Sequence, residues 1–248
     1  MTKLTFAPSP LAVVKAASSV VRRDGFRLAL TTLVFFLAPY LAAYYGLYKP
    51  DVDGDYGNPT GYYVRYYAFI LCFFALKGLN ACLSGQIVYN RLTNEPRPLY
   101  AVLPDGLVNW ARTLAIYVPV AALIYLGNFF YIAPGLIVGY FALFFLGAVL
   151  YDRLGLKGGW LKGARTRNGH NLILVFNYAL LSGLLALVQA GIAPLSSLVT
   201  QHVSADAATV ATAAVYAIIE FLSTLFAVTL FVLPQDHETP STDVADLF

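Results

Sequence analysis

Charge is scarce in this 248-residue chain. Asp, Glu, Lys and Arg together make up 12% of it, about half the roughly 25% usual in soluble domains. Disordered chains rely on charge and lack apolar residues, so this shortage excludes disorder. Cysteine is scarcer still: there are two, which excludes a disulfide-stapled secreted scaffold. Cys72 and Cys82 are expected on one helix, about 15 Å apart in rise, too far to bridge. The three histidines, His170, His202 and His237, fall in separate segments, and neither CxxC nor HExxH occurs, so no metal site is expected. His202, Ser204 and Asp206 lie close together. Triads draw on spatially convergent residues, so this group reads as a polar turn with a helix cap. The Gly-rich stretch LGLKGGWLKG lacks the GK[ST] ending of a phosphate-binding loop. No cofactor and no catalytic residues are expected.

What is abundant is apolar. Hydrophobic residues make up 59% of the chain, and the mean hydropathy is +0.67. A water-soluble globule of this size leaves about 25% of its chain surface wet, too much to hide such a composition. The solvent must be lipid. A span takes about 20 residues, and six apolar runs fit: 26–48, 62–89, 108–126, 134–151, 171–190 and 207–233. The third and fourth, joined by GNFFYIA, should form a tight hairpin. Pro134-Gly135 opens the fourth, where a proline loses no hydrogen bond. Pro39 and Pro119 lie inside spans and predict kinks.

The expected fold is therefore an all-α integral membrane protein, a six-transmembrane helix bundle. Most of the 16 Lys and Arg residues precede the first span or lie in the second–third and fourth–fifth connections, which puts both termini in the cytoplasm. A basic face of this kind fits anionic membrane lipids rather than nucleic acid. Ser9-Pro10 reads as a helix start. Leu11, Val14, Ala17 and Val21, with Val13 and Val20 beside them, predict an amphipathic helix lying in the interface rather than a cleaved signal peptide. A second partial one is expected over 98–112, with Trp110 at headgroup level. The domain division is 1–25 for the tail and amphipathic helix, 26–233 for the six-span unit, and 234–248 for an acidic cytoplasmic tail.

The second apolar run carries the most information. As a helix from Tyr62 to Arg91 it would measure about 45 Å, longer than a hydrocarbon core of about 30 Å. Lys77, Asn80 and Ser84 share one face at its middle. Gly78, Cys82 and Gly85 form an adjoining small face for close helix contact. A mid-span lysine facing lipid costs at least about 2.5–3.5 kcal/mol. One acid, Glu220, lies at comparable depth, in the sixth span. The pair predicts an ion pair inside the bundle, with two readings: a structural pin between the second and sixth helices, or a proton or cation site. Lys77, Asn80, Ser84 and Glu220 are thus the candidate midplane polar cluster. Gly135, Gly139 and Gly183 are further expected helix-packing positions.

Three features between about Gln86 and Leu187 carry a resemblance. They are the stretch RLTNEPRPLYAVLPDGL, the IAPG at the fourth span, and the loop GGWLKGARTRNGHNLILVF. Together they resemble the YciC-type six-span inner-membrane proteins, related to the membrane domain of some glycerophosphodiester phosphodiesterases. In the loop, Gly169 matches the last position of the family's A-x-x-x-S-x-x-x-x-x-G pattern, whereas Gly159 stands at the alanine and Gly163 at the serine. The resemblance implies a multi-pass protein of the bacterial inner membrane and supplies no catalytic residues. The expected function is that of a non-enzymatic accessory or scaffolding subunit of a membrane protein assembly, or a membrane-homeostasis factor, whose partners are membrane lipids and other membrane subunits. The alternative is a transporter or lipid-handling protein using the midplane cluster.

Overall fold

The computed structural model describes residues 9–48, 59–130, 132–167 and 171–234. Nine α-helices run in order through them: α1 Pro10–Thr32, α2 Ala38–Ala43, α3 Pro59–Leu92, α4 Leu99–Phe130, α5 Ile132–Leu150, α6 Leu156–Arg167, α7 Asn171–Ala190, α8 Ile192–His202 and α9 Ala205–Val232. Five stretches are long and apolar enough to cross a membrane: Pro10–Leu47, Gly61–Leu92, Leu99–Ile124, Ile173–His202 and Ala205–Val232. The remaining expected span is represented by Gly135–Leu150. It is apolar, and the whole of α5, Ile132–Leu150, is 19 residues, about 28 Å at 1.5 Å per residue.

The N-terminal segment departs from expectation. The Ser9 side chain accepts a hydrogen bond from the Ala12 N–H at 3.2 Å, and Pro10 takes the first helical position, as the Ser-Pro pair predicts. From there α1 runs unbroken to Thr32, so the expected division at residue 25 falls inside a helix. The side it turns to the rest of the chain lies beside the expected apolar face. Val13, Ala17, Val20, Asp24 and Leu28 are buried, while Leu11, Val14 and Val21 are exposed. The reason is continuity. Spacings of three and four from Val13 lead through Leu28 to Thr31 and Thr32, and this stripe meets α3 and α9.

Pro39 has no N–H and its ring crowds the carbonyl four residues back. The chain answers with a π turn over Leu33–Leu37, in which the Ala38 N–H reaches the Leu33 carbonyl, followed by α2 and a second π turn at Tyr44–Tyr48. The expected kink is thus taken up by widened turns. Pro119 and Pro104 lie within α4, which continues through both. The partial helix expected before the third span is the first half of α4. The Trp110 indole N–H donates to the Ala75 carbonyl of α3 at 2.9 Å.

α3 ends in a Schellman-type cap. Asn94 adopts φ 59°, and the Glu95 N–H reaches back to the Asn90 carbonyl at 2.8 Å. α4 and α5 form the expected tight hairpin, with one residue between them. It is locked at one end by the Asn109 side-chain amide, which donates to the Leu150 carbonyl at 2.7 Å, satisfying one orphan carbonyl at the end of α5. α6 then folds back on α5. Gly159 and Gly163 make the close approach. A Cβ on Gly163 would lie 3.1 Å from the Phe144 carbonyl carbon, and one on Gly159 would lie 2.6 Å from Val149 Cγ2. Asp152 fastens this corner, accepting from the Tyr89 hydroxyl at 2.7 Å and pairing with Lys162 at 2.8 Å. α7 continues past Gly191 into α8, beyond the expected end at residue 190, and α8 packs back along α9. Ser204 caps α9 by accepting from the Ala207 N–H at 3.1 Å, the role expected of that polar turn.

α3 touches α1, α4 and α9. Two apolar clusters fill the space between the first helical stretch (10–48), α3 and α9. One holds Phe36, Tyr40, Phe69, Leu76, Ala213 and Ala217. The other includes Val20, Leu28, Cys82, Val88, Leu225 and Phe231, and extends into α5 through Tyr140 and Phe144. Along each of the three helices, polar side chains fall between the two clusters.

Candidate functional site

That intervening layer begins with the backbone. α3 and α9 run in the same direction through it and the stretch from α1 into α2 runs against them, so each passes from one apolar cluster to the other. On α3 the positions Phe73, Lys77, Asn80 and Ser84 follow one another at helical spacing and project to one face. On α9 the matching face carries Ala217, Glu220 and Thr224. On α1 it carries Thr32.

Lys77 Nζ and Glu220 Oε1 stand 2.7 Å apart. The Glu220 carboxylate is enclosed, at 6% side-chain exposure, whereas Lys77 keeps 30%. The ammonium also lies 5.4 Å from the centre of the Phe73 ring, a cation–π contact that compensates part of its lost hydration. One helical turn further in, Asn80 is wholly buried. Its side-chain carbonyl accepts from the Ser84 hydroxyl at 2.8 Å and from the Thr32 hydroxyl at 3.2 Å. Its amide donates to Thr224 Oγ1 at 3.3 Å. Both ends of the amide are therefore used, and the four side chains join α1, α3 and α9. Buried polar groups must be paired to be tolerated, and these pair with one another.

The structure thus brings together the four residues of the midplane cluster, Lys77 with Glu220 and Asn80 with Ser84. Thr32 and Thr224 belong to the same layer and carried no signal of their own, since a hydroxyl in an apolar run reads as neutral. The small-residue positions divide. A Cβ on Gly78 would sit 2.9 Å from Tyr117 Cδ1 of α4. Cys82 is buried, with its sulfur 3.9 Å from Thr113 Oγ1. Gly85 lies against the Tyr151 side chain and Gly139 against the Tyr178 hydroxyl, and Gly135 is buried. Gly183 is exposed within the chain, and a Cβ there would meet nothing within 4 Å. Its helix, α7, packs through its other side on α9.

A second buried carboxylate went unread in the sequence. Asp24 of α1 is 3% exposed and pairs with the Arg91 Nε of α3 and, at 3.3 Å, with Arg27 of its own helix. A readable signal existed, because Asp24 continues the stripe Val13, Ala17, Val20. Its position among Arg22, Arg23 and Arg27 made it look like one more surface charge.

No group of three His, Cys, Asp or Glu side chains able to hold a metal gathers among the described residues. No family model, curated protein or solved structure matches the chain. The arrangement has two chemical capacities. It can hold three helices in fixed register through desolvated polar contacts, or it can exchange a proton or cation at the partly open Lys77.

Proposed function

We propose that the chain is a non-catalytic, multi-pass protein of the bacterial inner membrane that acts as a scaffolding or accessory subunit for other membrane proteins. The observation that carries this reading is the inward use of the mid-bundle polar groups. Asn80 joins Thr32, Ser84 and Thr224, and Lys77 meets Glu220, so these groups tie α1, α3 and α9 into one unit. The faces of α4 and α7, in contrast, are left largely uncovered by the chain itself, with Leu180, Leu184, Leu187 and Val188 exposed on α7. Such faces suit lipid or a neighbouring helix, and Gly183 at open space among them would allow close approach.

In this reading α5 completes a set of six spans, and both termini lie on the Lys/Arg-rich cytoplasmic side. The resemblance to YciC-type proteins supports the same layout. The test is photocrosslinking from Leu184 and Leu187 in intact membranes, followed by purification in mild detergent and mass spectrometry. A discrete protein adduct is expected. Adducts to lipid alone, with a monomer after purification, overturn the scaffold reading.

One observation favours a transporter instead: Lys77 keeps 30% exposure while Glu220 is enclosed. In that case Lys77→Cys would react with a membrane-impermeant thiol reagent from one side of the membrane. Under the scaffold reading it stays unlabelled.

A further inference from the structure

Away from the midplane, a cleft of about 520 Å³ opens between α4, the end of α5 and the start of α6. It lies at the Lys/Arg-rich end of the bundle, at the level where Asn109 caps the last turn of α5. Its composition is two-sided. Val108, Ile116, Val149 and Leu156 contribute apolar wall, and Arg112 and Arg153 contribute guanidinium groups. Arg153 is held by Asp105 at 2.8 Å, and Arg97 approaches the same carboxylate oxygen at 3.7 Å. Arg112 is exposed and has no ion-pair or hydrogen-bond partner among the described residues. The cleft lining thus holds two arginines and one acid, Asp105, and carries an excess of positive charge.

The placement of Arg112 is informative. Val108, Arg112 and Ile116 are spaced four apart and share one face of α4, so the guanidinium emerges from an apolar stripe rather than from a charged surface. An arginine without a partner in such a setting is stabilised by an anion beside it. Guanidinium matches phosphate oxygens in a bidentate fork, and basic pockets between membrane helices are suited to phospholipid headgroups. Arg153 adds a second observation. It holds φ 57°, a left-handed conformation that glycine adopts more easily than arginine. The turn nevertheless presents a guanidinium at the cleft.

We propose that this cleft binds the phosphate of an anionic membrane phospholipid, with Arg112 and Arg153 on the phosphate oxygens and Val108, Ile116 and Val149 against the glycerol and first acyl carbons. The apolar wall selects the lipid over a soluble phosphate ester, because a soluble anion would leave that wall in water. The site is separate from the midplane layer and stands whichever role that layer has.

The test is native mass spectrometry of the full chain exchanged into nanodiscs of dioleoyl phosphatidylglycerol and dioleoyl phosphatidylcholine. The wild type should retain phosphatidylglycerol at least tenfold better than phosphatidylcholine on detergent release. Arg112→Gln should lower that retention about tenfold. Arg153→Gly should lower it as well while relaxing the backbone, so loss of the fold does not account for the result. Arg165→Gln, on α6 outside the cleft, should leave retention unchanged. Circular dichroism of each variant should match the wild type. Equal retention of the two lipids, or undiminished phosphatidylglycerol retention in both cleft variants, overturns the proposal. Full displacement of the lipid by millimolar inorganic phosphate also overturns it, by assigning the site to a soluble anion.

Discussion

Glu220 and Asp24 are both almost wholly buried carboxylates, and both are held by a cation from α3. Their surroundings differ. Glu220 meets a single ammonium at the middle of the bundle, between two apolar clusters. Asp24 lies nearer the basic end and meets two guanidinium groups, of which Arg27 is about half exposed. Removing one partner of a buried pair leaves the other charge desolvated, which costs far more than the intact pair contributes. The comparison therefore teaches that the cost of losing a carboxylate depends on where its abandoned cation can go. Arg27 and Arg91 can turn toward water and headgroups. Lys77 sits at the middle of the bundle, away from the basic end, with the Phe73 ring beside it.

The largest expected effect follows from this. Glu220→Ala should destabilise the protein by about 3–5 kcal/mol, read as a lower thermal midpoint in detergent. Lys77→Ala with Glu220→Ala should recover part of the loss. If the two single losses simply add, Lys77 and Glu220 do not interact. Asp24→Ala should cost less, about 1–3 kcal/mol, because its two arginines rehydrate. A loss equal to that of Glu220→Ala would break the comparison.

Packing provides the next contrast. Gly163→Val places branched atoms against the Phe144 backbone and should cost about 1–3 kcal/mol, loosening α6 from α5. Faster proteolysis at α6 is the readout. Asn109→Ala frees the Leu150 carbonyl and should cost about 1 kcal/mol by thermal unfolding. Gly183→Ala meets open space and should leave stability unchanged or raise it by up to about 1 kcal/mol. A clear loss of partner crosslinking with unchanged stability would assign Gly183 to an interface between chains.

The same contrast explains what could be read from the sequence. Lys77 and Glu220 stood out because each is a lone charge in an apolar run, and depth alone matched them. Asp24 was hidden by neighbours of opposite sign. The inward face of α1 was not legible because Leu11, Val14 and Val21 are as apolar as Val13, Ala17 and Val20, and only the partners on α3 and α9 decide between them. Apolarity marks the membrane but not the direction of packing within it. For that reason the spans were legible in outline, whereas α8 and the continuity of α1 and α4 were not. The roles of Gly159 and Gly163 were not legible either, since only the fold brings α6 against the Val149 side chain at the first and the Phe144 backbone at the second.

The polar layer also has a consequence for biogenesis. Asn80 and Thr224 are 144 positions apart in the chain, and Glu220 is made almost as late as Thr224. At about 5–20 residues per second, α3 waits on the order of 10 s before α9 arrives. During that interval its lysine lacks Glu220 and its asparagine amide lacks Thr224, while Thr32 and Ser84 are already made. The ribosome delivers the lock long before the key, so the nascent chain needs a hydrated or protein-lined shelter until synthesis nears its end.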